Sequence, residues 1–261
     1  MSADGGVRAF VLTGADREAL LDWLHVHAEP LGVVEEDEAL TVFLAAPPPP
    51  PPPFEAAMQE RAIDPRALAA TGLERDAAIA VADDLLVRPP WVPRPAGFAG
   101  IELVVPRGAA FGSGEHASTQ AALRCLHALW NGPASCADVG TGSGILLYYC
   151  RARGAADLRG CDIEGPAVAA ARELLPGARI ELGGPELLAP ADCVIANLTA
   201  AELHAALPEL LRLWNGRGPL VLSGMRDHEV AAVRASVPVA PDRVEVRPPF
   251  TALGYAGGVA R

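Results

Sequence analysis

Asp138, Gly140, Gly142 and Gly144 carry the clearest chemical signal in this chain, in the run Asp-Val-Gly-Thr-Gly-Ser-Gly between two apolar stretches. Residues 136–139 are short and apolar enough for a buried strand, and residues 145–153, Ile-Leu-Leu-Tyr-Tyr-Cys-Arg-Ala-Arg, suit a helix. Glycine belongs where a chain turns sharply and where its backbone must meet a ligand with no Cβ in the way, so the loop reads as a cradle for a nucleoside cofactor. Its spacing selects among cofactors. A dinucleotide fingerprint is G-x-G-x-x-G, whereas here Ile145 follows the third glycine and the pattern is G-x-G-x-G. A ribose also needs an acidic acceptor at the end of the next strand, roughly 20 residues on. Asp162, closing Leu-Arg-Gly-Cys-Asp, meets that need.

The elements that would position these residues follow from periodicity. From residue 109 the pattern predicts a helix over 118–129, a strand to 139, a helix to 153, a strand to 162, a helix over 166–174 and a strand over 179–182. It continues with a strand at 193–196, a helix at 200–213, a strand at 220–223, a helix at 227–236 and strands at 244–247 and 255–260. Such alternation implies an α/β fold, a doubly wound and mostly parallel Rossmann-like sheet that takes its ligand beyond the carboxyl ends of the strands. Upstream, seven consecutive prolines at 47–53 suit a polyproline II spacer. Ahead of it, a strand at 7–12, a helix at 16–28 and a strand at 40–45 make a small α+β element. Between spacer and sheet the pattern suggests a helix near 54–61, proline-rich loops around 89–95 and a strand at 101–105. The expected division is a recognition element over 1–46, a proline-rich linker with a connecting helix over 47–100, and a cofactor-binding domain over 101–261.

Composition excludes several chemistries. The chain has no lysine, its 21 basic residues all being arginine, so neither a P-loop phosphate contact nor a Schiff base has its required residue. A formal net charge of −11 disfavours direct nucleic-acid binding and would suit a basic protein partner. The five cysteines lack C-x-x-C spacing and the six histidines form no ligand set, so no metal site is expected. No apolar run approaches the ~18 residues of a membrane span, and the start Met-Ser-Ala-Asp-Gly-Gly lacks a secretory pattern, which points to a cytoplasmic protein with no membrane contact.

Two further segments complete an ordered set: Phe111-Gly112-Ser113-Gly114-Glu115-His116-Ala117-Ser118-Thr119 before the glycine loop, and Cys193-Val194-Ile195-Ala196-Asn197-Leu198 after it. The glycine loop with its leading Asp138 resembles motif I of Rossmann-like S-adenosylmethionine-dependent methyltransferases. All four segments together resemble the ribosomal protein L-eleven methyltransferase family, often called PrmA, over roughly residues 102–261. The resemblance implies S-adenosylmethionine as cofactor and methyl transfer to lysine or N-terminal amines of a ribosomal protein. It places cofactor contacts at Phe111, Thr119, Asp138, Gly140, Gly142, Gly144, Asp162 and Asn197. Catalytic roles fall to Asn197, whose carbonyl would orient the attacking amine, and to His116, which would accept a proton or cap the pocket.

Departures from the family lie on the substrate side. Where the family has Asp-Trp-x-x-x-Trp-Lys, this chain has Gly72-Leu73-Glu74-Arg75-Asp76-Ala77-Ala78-Ile79, without either tryptophan. Ser113 and Ser118 stand for threonines, and Leu198-Thr199 follows Asn197 in place of the Pro-Pro-aromatic clamp of many amino-methyltransferases, which the family also lacks. Two alternatives therefore accompany the ribosomal reading: a methyltransferase of another protein or a small molecule with a changed recognition domain, and a cofactor-binding paralogue without turnover.

Overall fold

The computed structural model describes residues 7–14, 20, 23–24, 27–28, 30–36, 39–44, 56–62, 77–106 and 111–257. Residues 1–78, 88–97 and 106–108 form one compact unit, and residues 79–87, 98–105 and 109–261 form the other. The prolines at 47–53 and the segment 72–76 lie outside the described residues, as does most of the helix expected at 16–28.

In the first unit, strands β1 (Arg8–Gly14), β2 (Gly32–Glu36), β3 (Ala39–Leu44) and β4 (Ala56–Arg61) form an antiparallel sheet in the order β2-β3-β1-β4. Period-two alternation sends Phe10, Leu12, Leu40, Val42 and Leu44 to one face, where they meet Leu20, Trp23 and Leu24. Two expectations are corrected here. The helix expected at 54–61 is the strand β4, registered on β1 from Ala9↔Arg61 to Gly14↔Ala56. Its sequence Ala-Ala-Met-Gln-Glu-Arg has high helix propensity, but the open edge of β1 supplies a ladder that overrides a preference worth only tenths of a kcal/mol per residue. β2, which takes in part of the acidic run, was not foreseen.

The second unit opens with β5 (Ile79–Ala82), β6 (Leu85–Arg88) and β7 (Ile101–Val104), a three-stranded sheet in that order. The β5–β6 hairpin, in the region expected to be linker, was also missed, although Asp83-Asp84 between apolar runs is a two-residue turn pattern. The remaining elements are α1 (Ala117–Leu129), β8 (Ser135–Val139), α2 (Ile145–Ala152), β9 (Asp157–Asp162), α3 (Gly165–Leu174) and β10 (Arg179–Leu182). After them come β11 (Cys193–Asn197), α4 (Ala200–Leu213), β12 (Leu220–Arg226), α5 (Val230–Ala235), β13 (Arg243–Arg247) and β14 (Phe250–Tyr255). Their strands build a seven-stranded sheet in the order β10-β9-β8-β11-β12-β14-β13, parallel except for β14, which runs antiparallel to both neighbours. This is the expected α/β Rossmann-like fold, and its order reverses between β8 and β11. The last strand starts five residues earlier than expected, because Pro248-Pro249 makes the turn and Phe250 to Tyr255 pair with β12.

One contact group fixes α1, whose first turn borders the reversal. Arg124 on α1 donates from Nε to Glu245 Oε2 on β13 (3.0 Å) and from Nη1 to the Val81 carbonyl of β5 (2.7 Å). Burial alone would raise the Glu245 carboxyl, yet hydrogen bonds from Arg124 and Arg243 outweigh it and hold it below the usual carboxylate range. Its stabilisation is thus present above the unfolded pKa and is lost as pH falls through the folded one. Arg124→Ala is expected to destabilise the chain by about 1–3 kcal/mol at pH 7, the range for a lost charged hydrogen bond. In urea titrations the deficit should narrow on acidification below pH ~4, as Glu245 is protonated. A pH-independent deficit would assign Arg124 a packing role only.

Candidate functional site

The parallel ladders bring three chain exits to one level. Val139 of β8 pairs with Cys161 of β9 and with Ala196 of β11, so Gly140, Asp162 and Asn197 leave the sheet side by side. Gly140 and Thr141 both donate backbone N–H to the Cys161 carbonyl (2.9 and 3.0 Å), which bends the loop toward β9. Gly142 N–H then donates to Asp162 Oδ2 at 2.9 Å, while Oδ1 accepts from the Glu164 N–H at 3.0 Å. Both carboxylate oxygens keep lone pairs for a ligand. Gly142 has φ +53°, and a Cβ there would sit 2.4 Å from the Phe111 carbonyl oxygen, so any side chain would break the contact between loops. That contact is tight. Ser143 donates its N–H to Phe111 O and its hydroxyl to Gly112 O, both at 2.7 Å.

The segment at 111–119 covers the second side. His116 is the N-cap of α1, its Nδ1 accepting the Ser118 N–H at 3.3 Å with the Ser118 hydroxyl 2.7 Å away. That arrangement leaves Nε2 to carry the proton of a neutral ring. The His116 ring stands between Phe111 (centroids 5.1 Å) and Phe250 (4.6 Å), giving a row of three aromatic rings. On the third side, Asn197 Nδ2 donates to Thr119 Oγ1 at 3.3 Å, and Asn197 Oδ1 is buried with no hydrogen-bond partner. Gly224 backs this strand end: its φ is +96°, and a Cβ would lie 2.1 Å from Leu198 O. Thr199 and Glu202 close the N-terminus of α4 with a reciprocal capping box.

These groups enclose a cavity of about 860 Å³. Of the residues singled out from sequence, Phe111, His116, Gly140, Gly142, Asp162 and Asn197 line it. Thr119, Asp138 and Gly144 do not, and each has another position. Thr119 is buried behind Asn197, as its hydrogen-bond partner. Gly144 starts α2 at φ +85°, where a Cβ would press on Leu175 and Ala171 of the neighbouring helical segment. Asp138 is fully buried beneath the loop, with Thr141 Oγ1 donating to its Oδ2 at 2.9 Å and its Oδ1 unpartnered. Reading the sequence also missed Phe250, Leu198 and Arg226, which line the cavity from β14, the end of β11 and β12. An acidic cast was foreseeable only from the net charge. Asp162, Glu164, Glu186, Glu202, Glu209 and Glu229 share the lining with Arg226, its one guanidinium among the described residues.

Comparison with known proteins agrees with this geometry. Residues 76–240 match the model of the family described as ribosomal protein L11 methyltransferase (PrmA). The chain belongs to the PrmA family. Relatives named ribosomal protein L11 methyltransferase include that of Pediococcus pentosaceus, 34% identical over 158 residues, covering 57% of this chain and 50% of the relative. Another, from Synechococcus sp., is 33% identical over 168 residues, covering 59% and 56%. This chain spans about half the length of the curated relatives it matches. Among solved structures, the ribosomal protein L11 methylase of Lactobacillus delbrueckii subsp. bulgaricus superposes with a TM-score of 0.62 at 23% identity, covering 70% of this chain and 99% of that one, and so shares the fold.

The cofactor of the PrmA family is S-adenosylmethionine, and the cavity fits it on three counts. Its volume is that of a site for a ligand of this size. Its acidic lining suits a molecule bearing a sulfonium and an ammonium. It also presents the orphaned acceptor of Asn197.

Asp138 makes this site testable by pH. Burial pushes its carboxyl up to about 8; the Thr141 hydrogen bond opposes that shift, and the nearby Asp162 and Cys136 add to it. The folded pKa thus lies above the unfolded value of ~3.9, so stability is intact below that value and falls as pH rises toward the folded pKa. Asp138→Asn, of the same shape but never ionised, should flatten the loss of stability between pH 5 and 8 in paired urea titrations. Parallel pH profiles for the two proteins would show Asp138 to be ionised in the native state.

Proposed function

We propose that this chain transfers methyl groups from S-adenosylmethionine to amines, on lysine side chains or an N-terminus, of a basic protein, and that the acceptor is a ribosomal protein as in its relatives. The observation that carries the reading is Asn197: a buried amide oxygen without a partner, on the wall of an acidic cavity, at the strand end next to the glycine loop. When bound, the cofactor supplies a methyl carbon already activated by its sulfonium. The chain's task is then alignment and exclusion of water. Asp162 has lone pairs left for ribose hydroxyls, and Gly140 and Gly142 let backbone approach the ligand. Phe111, half-exposed on the cavity wall, would pack against it.

An acceptor lysine starts at a pKa near ~10.4 and must lose its proton before it attacks. Taking it from water into the cavity penalises the cation and favours that loss. Asn197 Oδ1 can then accept an N–H of the neutral amine and point its lone pair at the methyl carbon, while Thr119 fixes the amide from behind. His116 lies on the same wall with its Nδ1 engaged by the helix cap, so it caps the pocket and can turn an Nε2–H donor toward it. The N-terminal residues 1–46 are assigned to recognition of the acceptor. Their division from the rest is tested by truncation before Phe54, which should keep cofactor affinity and lose transfer to the protein acceptor.

The decisive assay incubates the pure chain with methyl-labelled S-adenosylmethionine and a cell extract. Label in one basic protein of the large ribosomal subunit supports the proposal; label in small molecules alone transfers the reading to a changed acceptor, and no label with tight cofactor binding indicates a paralogue without turnover. Asn197→Ala should lower the single-turnover rate at saturating cofactor by roughly 10²-fold, the scale for misplacing a reacting group by about 1 Å. Asn197→Asp retains an acceptor but adds a charge that favours the protonated amine, so its smaller deficit should shrink as pH rises. Normal turnover in both variants would remove Asn197 from amine orientation.

A further inference from the structure

Three thiols stand apart from the cavity and from the reaction proposed above. Cys136 of β8 and Cys193 of β11 are register partners on adjacent parallel strands, and Cys150 belongs to α2. Their sulfurs all lie within 4.8 Å of one another. All three residues are fully buried, and none is in a disulfide. The three sulfurs thus make a compact triangle in a dry interior.

Charge decides what such a triangle can hold. Carboxyls of Asp192 and Asp157 act on Cys136, and that of Asp138 acts on Cys193. Three thiolates around a divalent ion would leave one uncompensated negative charge, and around a monovalent ion two, in an apolar interior that penalises both. A trivalent centre leaves none. Arsenous acid condenses with three thiols, three As–O and three S–H bonds giving way to three As–S bonds and three molecules of water, with no change of oxidation state.

We propose that Cys136, Cys150 and Cys193 form a binding site for trivalent arsenic, held as a neutral tris-thiolate. The triad would then act as a staple beneath the functional site. Cys136 precedes Gly140 by four residues, Cys193 precedes Asn197 by four, and Cys150 lies on the helix that follows the glycine loop. Because the sulfurs are enclosed, uptake waits on local opening of the sheet and helix and is slow compared with exposed thiols.

The test uses the full chain, reduced with a phosphine, incubated with arsenite, desalted, and read by native mass spectrometry and arsenic X-ray absorption. The expected result is one arsenic per chain, a mass gain of one arsenic less three hydrogens, and a shell of three sulfurs without oxygen. The double variant Cys125→Ala/Cys161→Ala should keep the ion, and Cys150→Ala should lose it. Arsenic at background level in the unaltered chain, fewer than three sulfur neighbours, or undiminished retention in folded Cys150→Ala would each overturn the proposal. Should Cys150→Ala fail to fold, the absorption spectrum of the unaltered chain decides alone. None of these readouts depends on methyl transfer.

Discussion

The register of β8 between its two parallel neighbours is the constraint from which the site follows. Val139 is opposite Cys161 on one side and Ala196 on the other, so the next residues, Gly140, Asp162 and Asn197, emerge together where the strand order reverses. A shift of one residue would turn every side chain of β8 to the opposite face and take Asp162 out of reach of the Gly142 N–H. Burial enforces the register. Cys136 and Ala137 face opposite ways on β8, and each joins a separate apolar cluster, one on either side of the sheet. The core on both faces of the sheet therefore specifies the register that places the site.

The glycine loop shows how the site depends on two carboxyls in different surroundings. Asp138 and Asp162 lie on adjacent strands, two residues apart in register, yet one is sealed beneath the loop and the other opens into the cavity. The sealed group is driven toward its neutral form, where it can lie under the loop without a counter-ion. The open group accepts two backbone N–H bonds and so organises the loop. A similar division of labour separates Thr119 from Asn197: the buried hydroxyl orients an amide, and the amide faces the cavity.

The α/β half of the chain was legible because each element repeats a local rule. α4 and β10 stand where periodicity put them, and the glycine loop and Asp162 follow from spacing alone. The N-terminal half was less legible because the deciding forces are non-local. β4 has a helical composition and becomes a strand only because β1 offers an edge. In the site, position in sequence did not reveal which side of a loop a residue takes, so Asp138, Thr119 and Gly144 belong to the support and not to the lining. Phe250 was invisible for a related reason: its place beside His116 comes from the antiparallel return of β14 onto β12, a pairing with no signature in either segment.

For an amine acceptor, the distribution of charge around this cavity resolves an apparent conflict. Carboxylates attract the protonated amine but also stabilise it, which opposes the deprotonation that attack requires. Here Glu186 and Glu202 are exposed, and Glu202 is already held by the cap of α4. Asn197, with its oxygen buried, presents an acceptor that carries no net charge. In the proposed reaction a cation would be drawn in by the outer carboxylates and would meet a neutral hydrogen-bond acceptor at the reacting position. Attraction then acts where solvent screens it and the proton is still wanted, and desolvation acts where the proton must leave. An aspartate at 197 would merge the two zones, and the amide keeps them apart.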